Sequence, residues 1–388
     1  MNSSKRGTPD FLLLILTFIL VCFGLVMVFS SSSATAAADP DIADKFYYLK
    51  KQVIWVILGS IGMLTLMNIH YSKLKKWFLP YLIVVMVMLV IVLFRPPVNG
   101  AHSWLQIGNL GIQPAEFAKL SIILYLSALI SKKGEKFRDF QSGLLPVIVM
   151  VGLLSSLIFM QPDFGSSVIF LACAFTVILT GGANLKHLFS IIGIIGATGA
   201  VFIGIYALIK QDLGYRFDRV TCFLDPWSDT SNACYQILQS RYAFGHGGLT
   251  GTGIGRSVQK LHYLPEAHND FIFAIVGEEL GFIGTSLFLL AYLLFIWRGL
   301  IVALRCPDLF GTLIGTGVMG MLGAQAFINI GGVTGAIPST GVTLPFISYG
   351  GSSLLVCMFS MGILLSVSRE QQEPNASASY NKKAVPVR

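Results

Sequence analysis

Charge is what this sequence has least of. Asp, Glu, Lys and Arg together make up 12% of its 388 residues, against about 25% in a typical soluble domain. So few charges cannot cover the surface of a water-soluble chain of this length, which excludes the soluble classes. Apolar residues make up 54% instead, with a mean hydropathy of +0.72, so lipid is the main solvent. Acids are scarcer than bases, 19 against 27, for a net charge of +8. No basic stretch interleaves with aromatics, so the positive excess is read as membrane orientation and not as nucleic-acid binding.

Other absences narrow the chemistry. No nucleophile elbow of the G-x-S-x-G kind occurs, and no Cys/His set has zinc-site spacing. The Gly-rich stretch from Gly245 to Gly255 lacks the Lys-Ser/Thr ending and the strand–helix frame of a phosphate loop. It reads as closely packed or flexible backbone. No internal repeat stands out, which disfavours transporter folds built on repeats. Of the six cysteines, only Cys222 and Cys234 fall in a long loop on the outer side. An oxidising compartment permits a disulfide there, although spacing alone does not fix its geometry.

What is present is a succession of apolar runs. Ten segments approach the about 20 residues that a span requires: roughly 11–30, 50–68, 77–94, 115–131, 143–160, 164–181, 187–209, 271–298, 310–332 and 349–367. The first follows Lys5 and Arg6 but exceeds the h-region of a signal peptide, about 7–15 residues, and is read as a span. Lys and Arg concentrate in alternate short loops, including Lys73, Lys75, Lys76, Lys132, Lys133, Lys136 and Arg138, which puts both termini in the cytoplasm. The expected fold is an all-α polytopic membrane protein with about ten transmembrane helices. Its parts are a cytoplasmic tail over 1–10, a membrane domain over 11–369 and a disordered cytoplasmic tail over 370–388. The outer loop 210–269, between the seventh and eighth spans, is rich in aromatics and glycine and is expected to be ordered.

Ionisable residues at or within spans are functional suspects by default. Glu116 and Lys119, three positions apart, share a helix face. They form either a structural ion pair or a cation for pyrophosphate oriented by its carboxylate. Asp163 stands at the outer end of the fifth span. Asp270 opens the eighth, either as an acid complementing the helix dipole, which would keep it ionised, or as a general base at the membrane surface. Glu278 and Glu279 lie about 12–13 Å deeper and cannot both face one cavity, so one is expected to bond to a neighbouring helix.

Several blocks make the sequence resemble the SEDS family (shape, elongation, division and sporulation) of FtsW, RodA and SpoVE. They are Asn99-Gly100-Ala101 with Trp104, Gln113 to Lys119, Gln161 to Ser166, Phe223 to Trp227, Tyr235 to Ser240, Leu264 to Gly281 and Leu344 to Ser353. Asp225-Pro226-Trp227 and the Leu264 to His268 stretch look more like the FtsW/SpoVE branch. The resemblance implies a peptidoglycan glycosyltransferase in the bacterial cytoplasmic membrane that polymerises lipid II at the outer face, partnered with a class B penicillin-binding protein. It places the catalytic aspartate at Asp270 and substrate-binding residues at Glu116 and Lys119. Trp104, Arg216, Arg219 and His268 are expected beside them, the arginines to neutralise charge developing on the pyrophosphate. A magnesium or manganese ion could share that task, although no metal cage is evident. His102-Ser103 and Asn269 depart from the family pattern, as do the two loop cysteines. A lipid II flippase and a non-catalytic scaffold for the penicillin-binding protein are the alternatives.

Overall fold

The computed structural model describes residues 7–96, 102–107, 110–190, 193, 215–230 and 234–370. The Asn99 to Ala101 motif, the Arg216 side chain, most of the expected seventh span and the tail beyond 370 lie outside the described residues. Eleven α-helices and one short hairpin occur among them. The helices are α1 (Phe11–Ala38), α2 (Tyr47–Asn68), α3 (Leu74–Leu93), α4 (Pro114–Lys133), α5 (Leu145–Phe159), α6 (Phe164–Thr180), α7 (Tyr215–Leu224), α8 (Tyr235–Gly247), α9 (Ile272–Leu304), α10 (Leu309–Thr334) and α11 (Gly351–Ser368). The hairpin pairs Leu105–Ile107 with Leu110–Ile112.

Eight helical stretches are long and apolar enough to cross a membrane, and α6, with 17 residues, is a shorter apolar one. Nine of the ten expected spans therefore have a described helix. The first runs eight residues past its expected end, from Ser30 to Ala38. Ser and Ala tolerate helix, and the Ser32 hydroxyl donates to the Val28 carbonyl at 2.7 Å, which satisfies a group that lipid could not.

Close backbone approach governs the packing, because lipid offers no hydrophobic drive to bring helices together. A Cβ at Gly362 of α11 would stand 2.5 Å from the Met63 carbonyl oxygen of α2, and one at Gly59 would stand 2.5 Å from Met358 Sδ. The most buried helices are α4, α10 and α11. The first and last described residues meet at one face. Gly7 N donates to Arg369 O at 3.1 Å, Asp10 N donates to Ser368 Oγ at 3.0 Å, and Arg298 pairs with Asp10 at 2.5 Å. At the opposite face, the starts of α2, α9 and α11 are joined by tilted and edge-on ring contacts among Tyr48, His268 and Tyr349.

Helix α9 is broken at Gly281, whose φ of 65° and ψ of −173° fall in a region that is essentially glycine-only. The break strands carbonyls and amides inside the protein, and the Gly-rich segment collects them. Thr252 N and Gly253 N each donate at 3.0 Å, to Glu278 O and Glu279 O. Beyond the break, Phe282 N and Ile283 N donate to Gly248 O and Leu249 O at 2.9 and 3.0 Å. The segment is thus a close-packed backbone partner of α9. Replacing Gly281 by alanine would put a Cβ 2.2 Å from Gly251 N on top of a strain of about 1–3 kcal/mol. A Gly281→Ala protein should unfold at clearly lower temperature in detergent, and an unchanged melting curve would contradict this account of the break.

Candidate active site

Asp270 sits one residue before the N-cap of α9, at the face opposite the Gly7–Arg369 contact. Two side chains of α10, one helical turn apart, hold the wall around it. Asn329 Nδ2 donates to the Asp270 carbonyl at 2.7 Å and to Val342 O at 2.6 Å. Gln325 Nε2 donates to Thr343 O at 3.1 Å and to the hydroxyls of Thr343 and Ser353, both at 3.2 Å. Together they pin the segment between α10 and α11 against Asp270. That segment contains Gly341, with φ 70°. A Cβ there would lie 3.4 Å from Asp270 Oδ2, 3.8 Å from Arg219 Nη1 and 3.9 Å from Arg219 Nη2. The glycine therefore lets a carboxylate and a guanidinium converge on one space. Arg219, on α7, is held by donating to Ser339 O at 3.2 Å.

Although Asp270 is only half-buried by surface area, it is densely surrounded. Burial and then the Glu266 carboxylate push its pKa up to about 7, against lesser opposing contributions from its own backbone amide and Arg219. Desolvation favours the neutral form and so works against the ionised state that the helix-dipole reading implied. Asp270 makes no ion pair with a described residue. A carboxylate balanced near neutrality beside an arginine can accept a proton from a hydroxyl while the arginine faces developing negative charge.

The other expected site residues have different surroundings. Lys119 is fully buried and reaches Glu116 at 2.8 Å and Gln325 Oε1 at 3.1 Å. The ion pair is therefore tied to Asp270 only indirectly, by way of Gln325, the 342–343 backbone and Asn329. His268 is packed between Tyr48 and Tyr349, and burial lowers its pKa, so it presents a neutral ring and not a cation. Trp104 lies against the hairpin, 3.1 Å from where a Cβ on Gly111 would be. Asp163 caps α6 by accepting from Ser166 N at 3.0 Å and also accepts from Gln113 Nε2 at 2.8 Å.

Glu278 and Glu279 both bond to the 257–260 stretch, against the expectation that they could not share one surrounding, and both are structural. Glu278 accepts from the Ser257 hydroxyl and from Val258 N at 2.9 Å. Glu279 accepts from Lys260 Nζ at 2.9 Å and from Ser30 Oγ at 2.7 Å. Cys222 and Cys234 are bridged, with Cα atoms 5.1 Å apart, which ties the Arg219 helix to the start of α8. Among the described residues no three His, Cys, Asp or Glu side chains come together as a metal site would need. Sequence reasoning missed Gln325, Asn329 and Gly341. The two amides, four positions apart in an otherwise apolar span, were the available signal.

These features define a multi-pass membrane protein with a carboxylate and an arginine converging at one end of its helices. The chain belongs to the cell cycle protein family of FtsW, RodA and SpoVE, whose model matches residues 10–373. It is 41% identical over 371 residues to stage V sporulation protein E of Bacillus subtilis, covering 95% of this chain and 99% of that one. With a probable peptidoglycan glycosyltransferase FtsW of Geobacter metallireducens it shares 39% over 372 residues, covering 95% and 96%. Among solved structures, it resembles a chain of a peptidoglycan synthase complex described as coordinating polymerization and crosslinking. The TM-score is 0.75 at 28% identity, with 94% of this chain and 99% of that chain covered. It also resembles RodA, the rod shape determining protein of Thermus thermophilus, with TM-score 0.63 and 25% identity over 94% and 98% of the two chains.

The electrostatic assignment has a direct check. In protein carrying ¹³C-labelled aspartate, the Asp270 carboxyl should titrate at about 7. Glu266→Gln, which removes a like charge, should move that titration to lower pH. Arg219→Gln, which removes a stabilising cation, should move it higher. Shifts of the opposite sign would refute the assignment.

Proposed function

We propose that this chain is a peptidoglycan glycosyltransferase that polymerises lipid II at the outer face of the cytoplasmic membrane, with Asp270 as general base. The observation that carries the reading is the convergence of a carboxylate held near neutrality and an arginine across Gly341. In the proposed step, ionised Asp270 removes the proton of the acceptor GlcNAc 4-hydroxyl. That oxygen attacks the anomeric carbon of the donor while the bond to the polyprenyl pyrophosphate breaks, inverting the anomeric centre. The leaving group departs with the bonding electrons, so a second carboxylate of the glycosidase kind is not required. Arg219 would offset the charge growing on the pyrophosphate; Arg216, three positions earlier on α7, is proposed to assist. The buried Glu116–Lys119 pair would act through Gln325, fixing the wall that faces Asp270, and not as a direct phosphate ligand.

Relatives named as probable peptidoglycan glycosyltransferases support this reading. Likeness to a chain of a peptidoglycan synthase complex supports a class B penicillin-binding protein as the crosslinking partner. A flippase reading would need the buried charges to line a path. Glu116, Glu278 and Glu279 are instead occupied by internal partners, which favours polymerisation.

Purified protein with its cognate partner, the partner's transpeptidase serine disabled, should build long glycan chains from labelled lipid II. Asp270→Asn should lower the rate at least about a hundredfold while still forming the complex. Equal chain formation by both proteins would remove Asp270 from the mechanism.

A further inference from the structure

A groove of about 520 Å³ runs between the far half of α1 and the segment 254–261. Its floor is apolar, with Val26, Phe29 and Ala34 on one side and Ile254, Val258 and Leu261 on the other. The last three are exposed on the protein surface, although they belong to a segment bordering a membrane helix. Val26 and Ala34 stand about 22 and 35 Å along α1 from Phe11, against a hydrocarbon core about 30 Å thick. The groove therefore starts inside the hydrocarbon and ends among the headgroups at the Asp270 face.

Its polar lining is one-sided. Lys260 on the wall is neutralised by Glu279 at 2.9 Å and lies 3.3 Å from Ser30 Oγ. Arg256 is exposed, and its guanidinium makes no hydrogen bond or ion pair with a described residue. No carboxylate lines the groove. An anionic headgroup would find a cation there, whereas the ammonium of a zwitterionic headgroup would find no partner. The groove shares no residue with the wall formed by Asp270, Asn329 and Gly341, so its occupant need not be the reacting lipid.

We propose that this groove seats an anionic phospholipid of the surrounding bilayer, its phosphate on Arg256 and its acyl chains along Val26 and Phe29. The lipid braces the 254–261 segment that Glu278 and Glu279 hold from the other side. Its binding is independent of the glycosyl-transfer reading, because it requires neither Asp270 nor a reaction.

The test uses the full chain in nanodiscs of mixed phosphatidylglycerol and phosphatidylcholine, released into detergent and weighed by native mass spectrometry. Wild type should retain phosphatidylglycerol in preference to phosphatidylcholine. Arg256→Gln, whose parent side chain has no partner to lose, should bind it about fivefold more weakly. Arg256→Lys should keep most of the binding, and Ser33→Trp, which fills the groove, should abolish it. Equal retention by wild type and Arg256→Gln would overturn the proposal, as would indifference between the two phospholipids. Displacement by inorganic phosphate would make this a free-anion site, and displacement by an equimolar polyprenyl pyrophosphate would assign it to the reaction's carrier. Either result also overturns the proposal.

Discussion

A helix that breaks inside a membrane protein must have its freed backbone groups satisfied by protein, because lipid has no hydrogen bonds to offer. The break at Gly281 is that constraint here, and much of the far face follows from it. The carbonyls of Glu278 and Glu279 and the amides of Phe282 and Ile283 are matched to the backbone between Gly248 and Gly253. Once that segment is stitched to α9, the two glutamate side chains reach the next stretch, Ser257 to Lys260. Ser30 adds α1 to the same cluster. The start of α9 is thereby anchored on several sides, and Asp270 is its neighbour.

A contrast among carboxylates separates structure from chemistry. Glu116, Glu278 and Glu279 are buried, and each has a lysine, a hydroxyl or backbone amides as its partner. That is the condition under which a charge can remain in a low-dielectric interior. Asp270 is held differently. Its backbone carbonyl is fixed by Asn329, while its carboxyl is left beside Gly341 and within the field of Arg219. The backbone is committed and the side chain is available. Paired acids hold the helices together, whereas the Asp270 carboxyl, which makes no ion pair with a described residue, is open to take a proton.

The membrane class and most of the spans were legible because they depend on bulk hydropathy and on length. Asp270 was legible as a lone acid at the mouth of a span, and its motif pointed the same way. Its elevated pKa was not, because desolvation depends on neighbours from α7, α10 and the 339–343 segment that are distant in sequence. Helical geometry sets Glu278 and Glu279 about 100° apart, so they were not expected to face one cavity. That a single loop would receive both required knowing where that loop runs. Glu116 and Lys119 could be read either as a structural ion pair or as a phosphate site, and the burial with Gln325 that favours the pair was invisible without the packing of α4 on α10. The Gly-rich segment is the closely packed backbone its composition suggested, yet its service to a helix break depended on Gly281, an unremarkable glycine in the sequence.

The account rests on a base poised near neutrality, and the pH dependence of glycan polymerisation under single-turnover conditions tests it most directly. Because Asp270 must be ionised to accept a proton, the rate should climb as pH rises through about 7, and in Glu266→Gln the rising limb should lie at lower pH. A rising limb near the ordinary aspartate value of 3.8, or one that Glu266→Gln leaves in place, would contradict it.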